Sequence, residues 1–192
     1  MGLTFVLGAG CVGTGSVTIQ GREQLQFTDE SAWRWSDGQL ELHGVSAYKP
    51  PHRSPRSLAI LRDVEFDDFD LSVEVLSTKE EYGHRDLLIA FAYRDASHYA
   101  YAHLASIADQ NAHHVMLVDG APRRPVSTER TKGVTWGDEW HDLRLTRRGE
   151  TVEVFFDGQA VITAIVPEGA GRVGLGSFDD TGMFRRLVVT AR

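Results

Sequence analysis

Apolar and polar positions alternate along most of this chain with a period of two, the repeat of a half-buried strand rather than of a helix. The pattern predicts strands over 38–44 (GQLELHG), 69–76 (FDLSVEVL), 87–95 (LLIAFAYRD), 98–106 (HYAYAHLAS) and 113–120 (HHVMLVDG). It continues over 141–149 (HDLRLTRRG), 151–158 (TVEVFFDG), 159–166 (QAVITAIV), 171–178 (GRVGLGSF) and 184–191 (FRRLVVTA). Turn-forming pairs separate them at Asp37-Gly38, Asp119-Gly120, Gly149-Glu150, Asp157-Gly158 and Thr181-Gly182. Asp157-Gly158 is the clearest hairpin, because a type I′ turn needs positive φ at both central residues. No long helix is expected; Ala105–Ala112 has room for one helical turn or for a strand running into a loop. Many short strands with almost no helix predict an all-β fold, an antiparallel sandwich or barrel. KPPHRSPR (49–56) reads as a surface loop.

Composition adds bounds. The 192 residues are 42 % hydrophobic and 24 % charged, enough for a full core. The net charge is −7 with no lysine run, which argues against binding nucleic acid through a basic face. The many arginines suit local recognition of carboxylate or sulfate. No apolar stretch approaches the roughly 20 residues of a transmembrane span. Cys11 is the single cysteine, so no intrachain disulfide forms.

Near the N-terminus, Gly8–Gly13 read GAGCVG, the G-x-G-x-x-G spacing of dinucleotide-binding turns. That motif works where a strand feeds a helix whose free N–H groups receive a pyrophosphate. The residues that follow, TGSVTIQGREQLQF, carry no helical period, so no nucleotide is expected. LTFVLGAGC has the order seen at the end of an export signal before a lipid-modified cysteine. A glycine-rich leader or first edge strand is the alternative. Residues 1–20 are therefore set apart from one sandwich domain over 21–192, in a protein expected to be secreted or at the cell surface.

The series WSDGQL (35–40), FDDFDLSVEVL (66–76), WHDLRLTRRGETVEVFFDGQAV (140–161) and GRVGLGSFDDTGMFRRLVV (171–189) resembles the concanavalin A-like lectin/glucanase superfamily. It looks most like laminin-G-like and 3-keto-disaccharide-hydrolase-type domains. The resemblance implies a jelly-roll β-sandwich of two curved sheets whose concave face carries a carbohydrate site. It also implies a structural calcium near the edge, with Asp29, Glu30, Asp179 and Asp180 as the oxygen donors present here. FRRL stands where relatives often carry an acid, which weakens the metal expectation. The histidines lack the spacing of a closed zinc site.

Candidate site residues cluster on HYAYAHLAS. Alternation puts Tyr99, Tyr101 and His103 on one face and Ala100, Ala102 and Leu104 on the other. Tyrosine faces stack on sugar C–H groups while hydroxyl and imidazole hydrogen-bond to ring hydroxyls. His84, Arg85 and Asp86 stand at the entrance of the neighbouring strand, as a polar cluster at the site or an Arg–Asp surface pair. His113 and His114 point to opposite faces, so one of them shares the site's face. Arg123 and Arg124 follow in a loop and would suit an acidic sugar, or form a plain basic loop.

The four tryptophans cover the sandwich edge, and Trp136 is the one to watch as a ligand platform. The spacing E-x-D-x-x-E of the superfamily's glucanases is missing. Glycan binding is the reading these residues favour. The alternatives are a glycoside hydrolase or polysaccharide lyase, with Tyr101 and His103 or His114 as acid and base, and a laminin-G-like protein-interaction domain. Arg85, Asp86, Tyr99, Arg124 and Trp136 are the expected substrate contacts.

Overall fold

Period-two segments bury one face only if they pair, and in the computed structural model, which describes residues 15–192, they pair into two antiparallel sheets. In chain order the strands are β1 (Ser16–Thr18), β2 (Leu25–Phe27), β3 (Trp33–Ser36), β4 (Gln39–Leu42), β5 (Ser57–Leu61), β6 (Phe69–Ser77), β7 (Asp86–Asp95) and β8 (His98–Ala105). They continue as β9 (His114–Asp119), β10 (Arg124–Pro125), β11 (Ser127–Arg130), β12 (His141–Arg148), β13 (Thr151–Phe156), β14 (Gln159–Ile165), β15 (Arg172–Ser177) and β16 (Gly182–Ala191). The larger sheet runs β11-β14-β13-β12-β6-β16-β4-β3, with β1 also paired to β16; the seven-stranded sheet runs β10-β9-β8-β7-β15-β5-β2. This is the expected jelly-roll sandwich.

All ten predicted strands form, with ends displaced by a few residues. The alternation missed β1, β2, β3, β5, β10 and β11, of which β1, β2 and β10 are too short to show two full periods. SLAIL, which forms β5, is buried at every position and has no polar phase to read. Ser16–Thr18 lies in the segment expected to be a leader and pairs with Thr190–Val188. Residues 8–13 and Cys11 lie outside the described residues. Asp157 and Gly158 have φ of 49° and 78°, as the hairpin demands, and Asp37-Gly38 repeats the device at 52° and 74°. Thr181-Gly182 forms no turn: Gly182 already pairs with Leu42 and Ser77 at the start of β16. Residues 106–113 contain no helix and form an irregular connection.

The two sheets differ in how they meet water. Leu71, Val73, Leu143, Leu145, Val154 and Phe184 of the larger sheet face Leu61, Ile89, Phe91, Ala102, Leu104 and Leu175 of the smaller, and this is the main core. The larger sheet's other face is polar and carries ion pairs such as Arg148–Asp70 and Arg185–Glu74. The seven-stranded sheet is buried on both faces. Leu58, Ile60, Leu88, Ala90, Tyr93, Tyr99, Tyr101, Met116 and Val118 form a second apolar layer on its outer side. Gly174 and Gly176 make this possible. A Cβ at Gly176 would stand 2.0 Å from Ser57 O, and one at Gly174 would stand 2.5 Å from Ala59 O and from the Ile60 side chain.

Candidate functional site

The outer layer is organised around β8. The cross-strand pairs Leu88↔His103 and Ala90↔Tyr101 set β7 beside it, and His103↔His114 and Tyr101↔Met116 set β9 on the other side. Ala100, Ala102 and Leu104 point into the sandwich, whereas Tyr99, Tyr101 and His103 point out, as the alternation predicts. The rings form a continuous row: centroids lie 5.4 Å apart for Tyr93–Tyr99, 5.9 Å for Tyr99–Tyr101, 6.1 Å for Tyr101–His103 and 6.4 Å for His103–Phe178. The tyrosines are not exposed platforms, however. Tyr99 is 3 % and Tyr101 0 % exposed; Arg123, whose backbone N–H is held by Arg53 O of the long β4–β5 connection (43–56), bonds the Tyr101 hydroxyl.

At the His103 end the row opens into a cavity of about 200 Å³ lined by Arg53, Tyr82, His84, Asp86, His103, Asn111, Arg123, Phe178 and Asp179. Two acids, Asp86 and Asp179, line it. Asp86 accepts from Ser177 Oγ at 3.0 Å and from the Phe178 N–H at 3.2 Å. Asp180, buried and outside the lining, accepts from Tyr82 Oη and from the Asp86 N–H, each at 2.8 Å. Burial, and then the charge of Asp86, pushes the Asp180 carboxyl above its ordinary range. Asp179 pairs with Arg56 at 3.1 Å. His103 has its Nδ1 on Asn111 O at 3.2 Å. Its Nε2 lies 3.0 Å from Asp86 Oδ2 but off the hydrogen-bond direction, so this buried nitrogen has no aligned partner.

Arg123 closes the other side. Its guanidinium stacks 4.4 Å over the Phe178 ring and donates to Tyr101 Oη at 2.9 Å. Burial keeps the Tyr101 phenol neutral by raising its pKa well above the ordinary value, so Arg123 rests on an uncharged acceptor.

The cavity runs into an open trough of about 940 Å³ lined by Ser46–Ser54 and Arg56 together with Phe178 and Asp179. The trough wall is fixed at its root. Asp29 Oδ1 accepts from the Ser31 N–H and hydroxyl, and Oδ2 accepts from the Ala47 N–H at 2.8 Å and Ser46 Oγ at 3.3 Å. These donors, Ser31 first, hold the Asp29 carboxyl below its ordinary range. Further along, the Arg123 N–H donates to Arg53 O at 3.2 Å.

Several expected site residues stand elsewhere. Arg85 is 2 % exposed and bound to Ser77, Glu81 and the Gly137 carbonyl, so its guanidinium braces the connections behind the pocket. Trp136 is fully buried, donates to the Arg85 carbonyl at 2.8 Å and packs edge-on against Phe156; it is core, not a ligand platform. Arg124 is exposed on β10, and its neighbour Arg123 reaches the pocket instead. His114 shares the face of His103 but lies outside the cavity lining; its Nδ1 meets Ser127 Oγ at 3.2 Å. Burial and Arg130 lower the His114 pKa.

Asp29, Asp179 and Asp180 were the expected calcium donors. Asp29, Asp179 and Asp180 each answer a different set of protein donors, and among the described residues no three His, Cys, Asp or Glu side chains are grouped to hold a metal ion.

Arg53, Tyr82, Asn111 and Phe178 were not singled out from the sequence. The signal for Arg53 was the length of the β4–β5 connection, since structureless loops of that size in a sandwich usually carry function.

No family model matches the sequence, and no curated protein matches it. Solved structures do. The carbohydrate binding module CBM66 from Bacillus subtilis aligns over 93 % of this chain and 96 % of its own, with a TM-score of 0.58 and 15 % identity. A native glycosidic hydrolase aligns over 94 % of this chain and 97 % of its own, with a TM-score of 0.60 and 11 % identity. Domain 4 of AbnA, an extracellular arabinanase of Geobacillus stearothermophilus solved with arabinotriose, aligns over 82 % of this chain and 74 % of its own, with a TM-score of 0.51 and 15 % identity. At such identities the likeness is one of fold: this chain has the concanavalin A-like jelly-roll sandwich.

Proposed function

We propose that this protein binds a glycan in the trough and pocket on the outer face of its seven-stranded sheet. One observation carries the reading: an open trough leads to a cavity where Arg53, Asp86, His103, Asn111 and Arg123 converge around the Phe178 ring. Sugars need this combination of planar hydrogen-bonding groups and an aromatic surface. A carbohydrate binding module and an arabinanase domain bound to arabinotriose among the similar folds support it. A secreted or cell-surface location accords with such a partner, and no described helix is long and apolar enough to cross a membrane.

Saccharide cleavage is a second reading, favoured by the Asp180 carboxyl, whose pKa is raised and which holds the N–H of Asp86, the acid that lines the cavity beside His103. Calorimetric titration with a panel of neutral and acidic oligosaccharides, with product analysis of the same mixtures, tests both. Saturable binding that weakens about tenfold in Tyr101→Phe and in Arg53→Ala supports the site. Turnover that disappears in Asp180→Asn selects the enzyme. Failure of every oligosaccharide to bind overturns both readings and favours a laminin-G-like protein-interaction domain.

A further inference from the structure

The charge balance of the pocket points to the class of glycan, an inference that rests on the glycan reading above. Each carboxylate there already has donors. Asp179 is matched by Arg56. Asp86 answers Ser177 Oγ and the Phe178 N–H and lies beside His103. Asp180, buried and outside the cavity lining, answers Tyr82 and the Asp86 N–H.

The cations are not answered in return. Among the described residues Arg123 makes one side-chain hydrogen bond, to a neutral phenol, and no ion pair. Arg53, exposed and lining both the cavity and the trough, makes no ion pair or side-chain hydrogen bond among those residues. Lys49 and His52 extend the same wall. Beneath them, His103 is buried with an unaligned ring nitrogen at the cavity wall. Two arginine forks without ion pairs among the described residues thus meet at one opening of a protein of net charge −7.

We infer that the site takes an anionic saccharide, with Arg53 and Arg123 gripping the anionic substituent of a sugar ring. A guanidinium fork matches a carboxylate or sulfate oxygen pair in a plane. Arg123 is already oriented by Tyr101 and Phe178, so little side-chain freedom is lost when it engages. A carboxylate on a uronic acid and a sulfate ester offer the same chemistry.

Calorimetry on the full chain with three oligosaccharides of equal length separates the possibilities: an oligogalacturonate, a sulfated galactan and a neutral galactan. The expected result is at least about tenfold tighter binding of an anionic ligand than of the neutral one. That preference falls with added salt and is lost in both Arg53→Gln and Arg123→Gln. The arm that binds identifies the anion. Arg53 is exposed, so its variant tests the pocket even where Arg123→Gln disturbs folding. Neutral ligand binding as tightly as either anionic one, or a preference that survives both substitutions, overturns this inference and leaves the glycan reading standing. If none of the three binds and the wider neutral panel is also silent, the glycan reading has failed as well.

Discussion

The Asp86 N–H donates to Asp180 Oδ2 at 2.8 Å, so the first residue of β7 holds the carboxyl at the entrance to β16. Burial, then the negative charge of Asp86 nearby, opposes ionisation of Asp180. A carboxyl whose pKa rises on folding stabilises the fold while protonated, and that contribution is lost as pH rises from its ordinary value of 3.8 through the folded value. Subtracting the stability curve of Asp180→Asn from that of the wild type, by denaturant unfolding across pH, therefore leaves a term that declines with rising pH in this window. A flat difference removes Asp180 from the pH dependence.

His113 acts with the opposite sign. Burial, followed by the charge of Arg130, lowers its pKa from 6.5 to about 4. Its neutral form therefore contributes stability that is complete above pH 6.5 and is lost as pH falls toward 4, roughly 3 kcal/mol in all. His113 also has φ of 58°, a conformation asparagine tolerates better than most residues. His113→Asn is expected to remove this acid-side slope, measured by the same unfolding series.

Trp136 separates stability from recognition. Trp136→Phe loses the Nε1–H bond to the Arg85 carbonyl and part of the contact with Phe156, at a cost of about 1–3 kcal/mol. Saccharide affinity should not change, since the ring lies in the sandwich core. A weakened affinity in a variant that is still folded would return Trp136 to the site.

Two glycines make a matched pair of tests. Gly176→Ala places a methyl group 2.0 Å from Ser57 O and must displace the β5 backbone, costing about 3 kcal/mol or more. Gly44→Ala meets nothing within 4 Å and needs no left-handed backbone, so it is expected to lie within about 1 kcal/mol of wild type, on the stabilising side. Thermal melts of the two variants check the contrast.

Strand existence was legible because alternation reports a one-sided sheet: β6 and β12 bury every second residue, and their sequences show it directly. The outward direction of Tyr99, Tyr101 and His103 followed from the same rule. What covers that face did not follow, because Arg123, which bonds the Tyr101 hydroxyl, is held by a connection from a distant part of the chain. Arg85 shows the limit most clearly. A charged residue at a strand entrance looks exposed in sequence, yet its partners Ser77 and Gly137 come from the end of β6 and from the β11–β12 connection. Arg124 was expected at the site in place of Arg123 for a related reason: alternation does not show which of two adjacent loop arginines faces the pocket, and only the pairing of Arg124 with Leu117 at the start of β10 leaves Arg123 free to reach it.

Asp29, expected to hold a cation, instead clasps Ser46 and Ala47, while Arg53 is tied to Arg123 through the backbone. The residues between these two anchors, Tyr48 to His52, contribute no strand to either sheet. They form a cassette: their sequence can be exchanged for another of the same length while the frame that presents it stays fixed. On the glycan reading, the selectivity of the trough would be set at these five positions, apart from the strands that form the core.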